Sequence, residues 1–135
     1  MGIDANRGTA DNFFTHLSTG DIPGALELLT DDVVWTIAGR REDLPTAGTY
    51  DKKRIEKLMN AMRSQLTSPM VFTITGRVAE GNKIALEAEG AGHLTNGKTY
   101  NQHFHFLLEF SGGKICSVRE YLDTQHARNV WYAQS

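Results

Sequence analysis

Two glutamates stand out as groups that could do chemistry, because each sits in a strand-like stretch expected to turn it toward an apolar face. Glu120 shares its side with Cys116, Val118 and Leu122, and Glu89 falls in the alternating run from Lys83 to Gly92. A carboxyl held among apolar groups has its pKa raised by desolvation and by any neighbouring carboxylate, which suits a general acid/base working near neutral pH. Two such groups facing one cavity can act on a substrate from two sides. The alternatives for Glu120 are a salt bridge to an arginine such as Arg77 or Arg119, or a slip to the outer face. Around the pair, Trp35, Tyr50, Met62, Gln102 and Phe104 are candidates to line a pocket, with Glu87 at its rim. Trp35 and Met62 also suit ordinary core packing, whereas an amide such as Gln102 on an aromatic face needs a partner.

These groups must be positioned by the elements around them. Ala10, Phe13, Phe14 and Leu17 recur at helical spacing after Thr9, which is placed to cap, and Gly20 closes the segment. Asp21 can cap a second short helix carrying Ile22, Ala25, Leu26 and Leu29. Val33 to Ile37 reads as a short strand, and the polar stretch Ala38 to Tyr50 as a loop able to form a rim. Asp51 then caps a helix with Ile55, Leu58, Met59, Met62 and Leu66 on one side, ended by Ser68-Pro69. Strands follow over about Met70 to Ala79, Lys83 to Gly92, Thr99 to Phe110 and Lys114 to Leu122, and Thr124 can cap a last helix through Trp131. Helices followed by a long meander predict an α+β fold, a twisted antiparallel sheet with helices over one face.

Turn chemistry sets which side chains face inward. Asn96-Gly97 is the strongest hairpin signal, and a two-residue turn there puts Ala91 opposite Gln102, Glu89 opposite Phe104 and Glu87 opposite Phe106. That face of the second strand carries Gln102, Phe104, Phe106, Leu108 and Phe110; the other carries Asn101, His103, His105, Leu107 and Glu109. The first is the core face, so Glu87 and Glu89 are expected inside. In the last hairpin a two-residue Gly112-Gly113 loop aligns Glu120 with His105, and a three-residue Ser111-Gly112-Gly113 loop aligns it with Phe104. Matching apolar to apolar favours the longer loop. Glu89, Phe104 and Glu120 then form one row, with the acids' Cα atoms roughly 10 Å apart.

Composition narrows the partners. The 135 residues suit one domain spanning 1–135, and the formal charge of -2 is well mixed, with no footprint for nucleic acid or a membrane surface. No apolar run approaches the roughly 18 residues of a membrane span. A lone cysteine, Cys116, and an N-terminus without an apolar stretch predict a cytoplasmic protein. Cys116 has no activating partner.

The order of elements and the strings Gly20-Asp21-Ile22, Asp31-Asp32-Val33, Gly113-Lys114-Ile115 and Arg119-Glu120-Tyr121-Leu122-Asp123 resemble the SnoaL-like and ketosteroid isomerase-like proteins of the nuclear transport factor 2-like superfamily. The resemblance covers nearly the whole chain in topology. It implies a cone-shaped curved sheet around an apolar pocket, three helices and a homodimer, in a group that includes isomerases, polyketide cyclases, dehydratases, epoxide hydrolases and non-catalytic binders. It places Ile37 where ketosteroid isomerases carry their catalytic aspartate and Phe13 where they carry an oxyanion-hole tyrosine. The stretch Asn96 to Asn101 and the ending Arg119 to Asp123 are similar to limonene-epoxide hydrolases, whose two catalytic acids fall on Glu89 and Glu120. Their bridging arginine falls on Glu87, and their water-positioning tyrosine and asparagine on Trp35 and Ile37. SnoaL-type cyclases place an acid/base carboxylate near Glu120. Gly97, His103, His105 and Glu109 imitate a cupin metal motif, but no second motif follows and the histidines lie opposite the apolar row, so no metal is expected.

The expectation is a small enzyme using carboxylate acid/base chemistry without a cofactor, on a small hydrophobic, oxygenated molecule, by isomerisation, cyclisation or hydration. Glu120 would be the principal acid/base and Glu89 the second or water-orienting group. A non-catalytic binding module with the same pocket is the rival.

Overall fold

Ala10, Phe13 and Phe14 are buried along one side of a helix that begins well ahead of Thr9. The computed structural model describes residues 2–132. Helix α1 spans Ile3–Ser18 with Gly2 at its N-cap. Thr9, expected to cap it, lies inside; its hydroxyl bonds the Ala5 carbonyl and the Gly113 carbonyl, at 3.1 and 3.0 Å, and ties the helix to a distant turn. Asp21 caps α2 (Ile22–Glu27) by accepting from the Gly24 N–H at 3.0 Å. Asp51 caps α3 (Lys52–Ser64) through the Arg54 N–H at 2.8 Å. The last helix, α4 (Thr124–Trp131), is capped by Asp123 rather than Thr124, because the Asp123 carboxyl reaches the N–H three residues on, that of His126, at 3.0 Å.

The strands are β1 (Leu29–Ile37), β2 (Gly48–Tyr50), β3 (Val71–Glu80), β4 (Lys83–His93), β5 (Thr99–Ser111) and β6 (Lys114–Leu122), in the sheet order β2-β1-β6-β5-β4-β3. β3 to β6 form the expected meander. β1 adds beside β6 in parallel, and every other pairing is antiparallel. The expected loop from Ala38 to Tyr50 contains β2 and buries Leu44 and Ala47, so it is part of the wall. The even-numbered residues of β5 are buried from Tyr100 to Phe110, and Phe14 packs on Phe106 with ring centroids 5.1 Å apart. Among the described residues no helix is long and apolar enough to cross a membrane.

Both hairpins differ from expectation in ways that decide which acids face inward. A two-residue type I′ turn needs positive φ at both central positions. Gly97 has φ +89°, but among the described residues no residue other than glycine has positive φ, so Asn96 cannot supply the other half. The turn is instead three residues, Thr95 to Gly97: His93 pairs with Thr99, the Gly97 N–H donates to the Leu94 carbonyl, and the Asn96 side chain accepts from the Lys98 N–H at 2.9 Å. The register moves by one residue. Ala91 therefore faces Asn101, Glu89 faces His103 and Glu87 faces His105, on the outer side of the sheet.

The last hairpin turns on Gly112 and Gly113 alone, with φ +58° and +81°. Ser111 pairs with Lys114 and Phe110 with Ile115, after which a bulge at Cys116 shifts the ladder so that Glu109 meets Ser117. The bulge's extra residue restores the parity that the shorter turn would have reversed. Glu120 lands opposite Phe106, on the apolar face. Single substitutions test the first turn. Asn96→Ala should cost less than about 1 kcal/mol, the loss of one exposed hydrogen bond, whereas Gly97→Ala should cost about 1–2 kcal/mol for a left-handed alanine. Urea unfolding measures both, and an Asn96 cost at least as large as that of Gly97 would restore the two-residue turn.

Candidate functional site

The concave face of the sheet and helices α1, α3 and α4 enclose a cavity of about 130 Å³. A single water needs roughly 10–15 Å³, so the space can take a small organic molecule. Its walls are mainly aliphatic and aromatic, among them Ile55, Leu58, Met59, Phe72 and Phe106. Glu120 is the only carboxylate among the described lining residues.

Three strands place that carboxyl. Glu120 lies between Phe106 of β5 and Ile37 of β1, and its backbone carbonyl accepts from the Ala38 N–H at 2.9 Å. The Trp35 indole Nε1 donates to Glu120 Oε1 at 3.0 Å. Trp35 is itself held by Phe13 and Phe106, at ring-centroid distances of 5.9 and 6.5 Å. Oε2 has no hydrogen-bond partner among the described residues. Burial pushes the Glu120 carboxyl up to about 7, and the Trp35 hydrogen bond, which favours the charged form, offsets only part of that. The salt-bridge alternatives are closed: Arg77 pairs with Asp11, and Arg119 is exposed on the outer face opposite Leu107.

The other expected site residues divide between the two faces. Trp35, Met62 and Phe104 line the cavity with Glu120. Glu87 and Glu89 do not join them, because the three-residue turn puts both on the exposed face, where Glu89 Oε1 lies 3.8 Å from His103 Nδ1. The expected row across three strands is therefore not formed. Among the described residues no cluster of three or more histidine, cysteine, aspartate or glutamate side chains is placed to hold a metal.

Gln102 is on the inner face but is fully engaged by the protein. Its Nε2 donates to the Tyr100 hydroxyl at 2.9 Å and the Asp123 carbonyl at 3.0 Å, while Oε1 accepts from the N–H groups of His103 and Asp123. It clamps the start of α4 to the sheet and leaves no donor or acceptor for a ligand. Tyr50 is also a positioning group: its hydroxyl donates to the Thr46 carbonyl at 2.7 Å and the Arg54 guanidinium sits 4.9 Å from its ring centre.

Tyr100 and Arg63 are among the polar lining residues outside the expected set. Tyr100 is buried in the wall, and its hydroxyl is pushed far above its usual value by burial, which keeps it protonated. Its even position on β5, shared with Gln102 and Phe104, carried that signal. Arg63 follows Met59 by four residues, so helical spacing puts it on the lining side of α3. Among the described residues the arrangement holds one carboxyl, divided between its two protonation states near neutral pH, beside a cavity with mostly apolar walls.

Comparison with known proteins agrees with this architecture. The structure superposes on an NTF2-like protein of unknown function from Burkholderia pseudomallei with a TM-score of 0.83 at 19% identity, covering 98% of this chain and 100% of that one. It is similar to TerC co-crystallised with polyporic acid, at TM-score 0.81 and 16% identity over 93% of this chain and 97% of that one. It is also similar to a candidate isomerase from Bacillus subtilis, at TM-score 0.79 and 20% identity over 97% and 96% of the two chains. Likeness at these identities speaks for the fold alone. No curated protein matches the chain in sequence. The family model described as the SnoaL-like domain matches residues 10–118, and the chain accordingly belongs to the SnoaL-like family with the NTF2-like fold.

Proposed function

We propose that the cavity is a catalytic pocket in which Glu120 moves a proton on a small, hydrophobic, oxygenated molecule without a cofactor. The observation that carries this reading is the apolar setting of the Glu120 carboxyl, which brings its pKa to about 7, where base and acid forms are both populated. With Oε1 held by Trp35, Oε2 is the atom left to face substrate. As carboxylate it takes a proton from the carbon beside a carbonyl, the C–H electron pair becoming the enolate double bond. As carboxylic acid it returns that proton to a different carbon, or to oxygen after a new carbon–carbon bond has formed.

A single carboxyl among the described lining residues favours isomerisation or aldol-type cyclisation over a hydration that needs two acids. Trp35, Met62 and Phe104 would supply walls for the substrate. TerC, of the same fold, was co-crystallised with polyporic acid, which supports a small-molecule role here. In the rival reading, the pocket holds a ligand without turnover.

Proton exchange separates the two. Apolar cyclic ketones incubated with the protein in D2O should gain deuterium beside the carbonyl, at a rate rising with pH through about 7 as Glu120 ionises. Glu120→Gln should lower the rate by roughly 100-fold or more, and Glu89→Gln on the outer face should leave it unchanged. Ligand binding without exchange, or Glu120→Gln exchanging as fast as the parent, would sink the catalytic reading in favour of the binding module.

We also propose that a second copy of the chain covers the outer face, where Val71, Val78 and Tyr121 are 51%, 72% and 47% exposed among charges of both signs. Sedimentation at micromolar concentration should give twice the 15.0 kDa of one chain, and Tyr121→Glu should weaken the pair. A monomer mass across that range would refute it.

A further inference from the structure

Arg63 is the only cation among the described residues that line the cavity, and Glu120 the only anion. The two come from different walls, Glu120 from β6 and Arg63 from the last turn of α3. Arg63 is partly buried, and Nη1 donates to the Leu66 carbonyl at 3.1 Å. Its Nε lies 3.8 Å from the position a Cβ would take on Gly20, itself a lining residue. The guanidinium is thus held between the end of α3 and the turn after α1 rather than swinging in solvent. Among the described residues no carboxylate lies within ion-pair distance of it. Asp21, the acid of the adjoining turn, is committed to His16 at 2.9 Å and to the Gly24 N–H at 3.0 Å.

A guanidinium carries five N–H donors in a planar fork suited to two oxygens of one acid, and Arg63 spends one of them on the protein. Met59, Met62, Leu66 and Met70 line the same cavity and give it apolar walls. Resting on the reading of this cavity as a ligand pocket, we infer that Arg63 is an anion-recognition subsite. The ligand it selects has an apolar body and a carboxylate or similarly acidic oxygen group, which forms charge-assisted hydrogen bonds with the guanidinium. Seating the acid group on α3 rather than on β6 also keeps like charge from the Glu120 carboxyl.

Two fluorescent probes with the same aromatic body isolate this term: 1-anilinonaphthalene-8-sulfonate and the uncharged N-phenyl-1-naphthylamine. The protein should bind the sulfonate at least roughly tenfold more tightly than the neutral probe. Arg63→Met should erase that preference while still binding the neutral probe, which also shows that the variant is folded, and Arg63→Lys should keep part of it. Equal affinities in the parent, or a preference that survives Arg63→Met, would overturn the anion subsite alone. Binding of neither probe would overturn the subsite and the ligand-pocket reading together. Failure of ketone exchange with the sulfonate preference intact would leave the subsite standing and remove only the proton chemistry.

Discussion

A carboxyl on the concave face of a curved sheet has to be neutral, paired or wet, because the helices packed over that face exclude most of the water that would otherwise stabilise its charge. Glu120 meets the constraint with one hydrogen bond and partial neutralisation. The indole of Trp35 satisfies Oε1, and the surrounding Ile37, Phe106 and Leu122 keep the carboxyl close to the boundary between its two forms. Much of the nearby structure serves this arrangement. Phe13 and Phe106 orient Trp35, the Cys116 bulge turns Glu120 inward, and Gln102 fixes α4 so that Ala127 and Trp131 close the end of the cavity.

The same arrangement makes stability depend on pH. Glu120 ionises at its ordinary 4.5 in the unfolded chain and at about 7 in the folded one, so the folded state holds the proton more tightly. Its contribution is fully present below about pH 4.5 and is lost as pH rises through 7, amounting to roughly 3 kcal/mol. A protein giving up that much stability at alkaline pH retains an ionisable group where leucine would pack more favourably. Such a cost is common at sites that do chemistry and uncommon in a purely structural wall.

Much of this was legible in the chain. Asp21 and Asp51 marked the starts of their helices, the apolar periods of α1 and α3 marked their buried sides, and the alternation from Gln102 to Phe110 identified the inner face of β5. Register was harder, because parity is decided by one residue. Asn96-Gly97 suits both a two-residue and a three-residue turn, and only backbone angles distinguish them, so the dipeptide alone does not fix the face of Glu89. Glu120 came out on the correct face because the two-residue turn and the bulge at Cys116 together shift parity as a three-residue loop does. Gln102 did need partners, but long-range folding brought the backbone of Asp123 to it. Arg63 leaves no mark on the apolar period of α3, because a charged side chain beside the stripe does not change that period.

The most direct test of the account is the titration of Glu120 itself, followed by the side-chain carboxyl carbon resonance of labelled protein, with Glu120→Gln used to assign the signal. Glu120 should show a midpoint near 7. A midpoint near the ordinary value of 4.5 would mean that the cavity does not desolvate the carboxyl, and would contradict the role given to it.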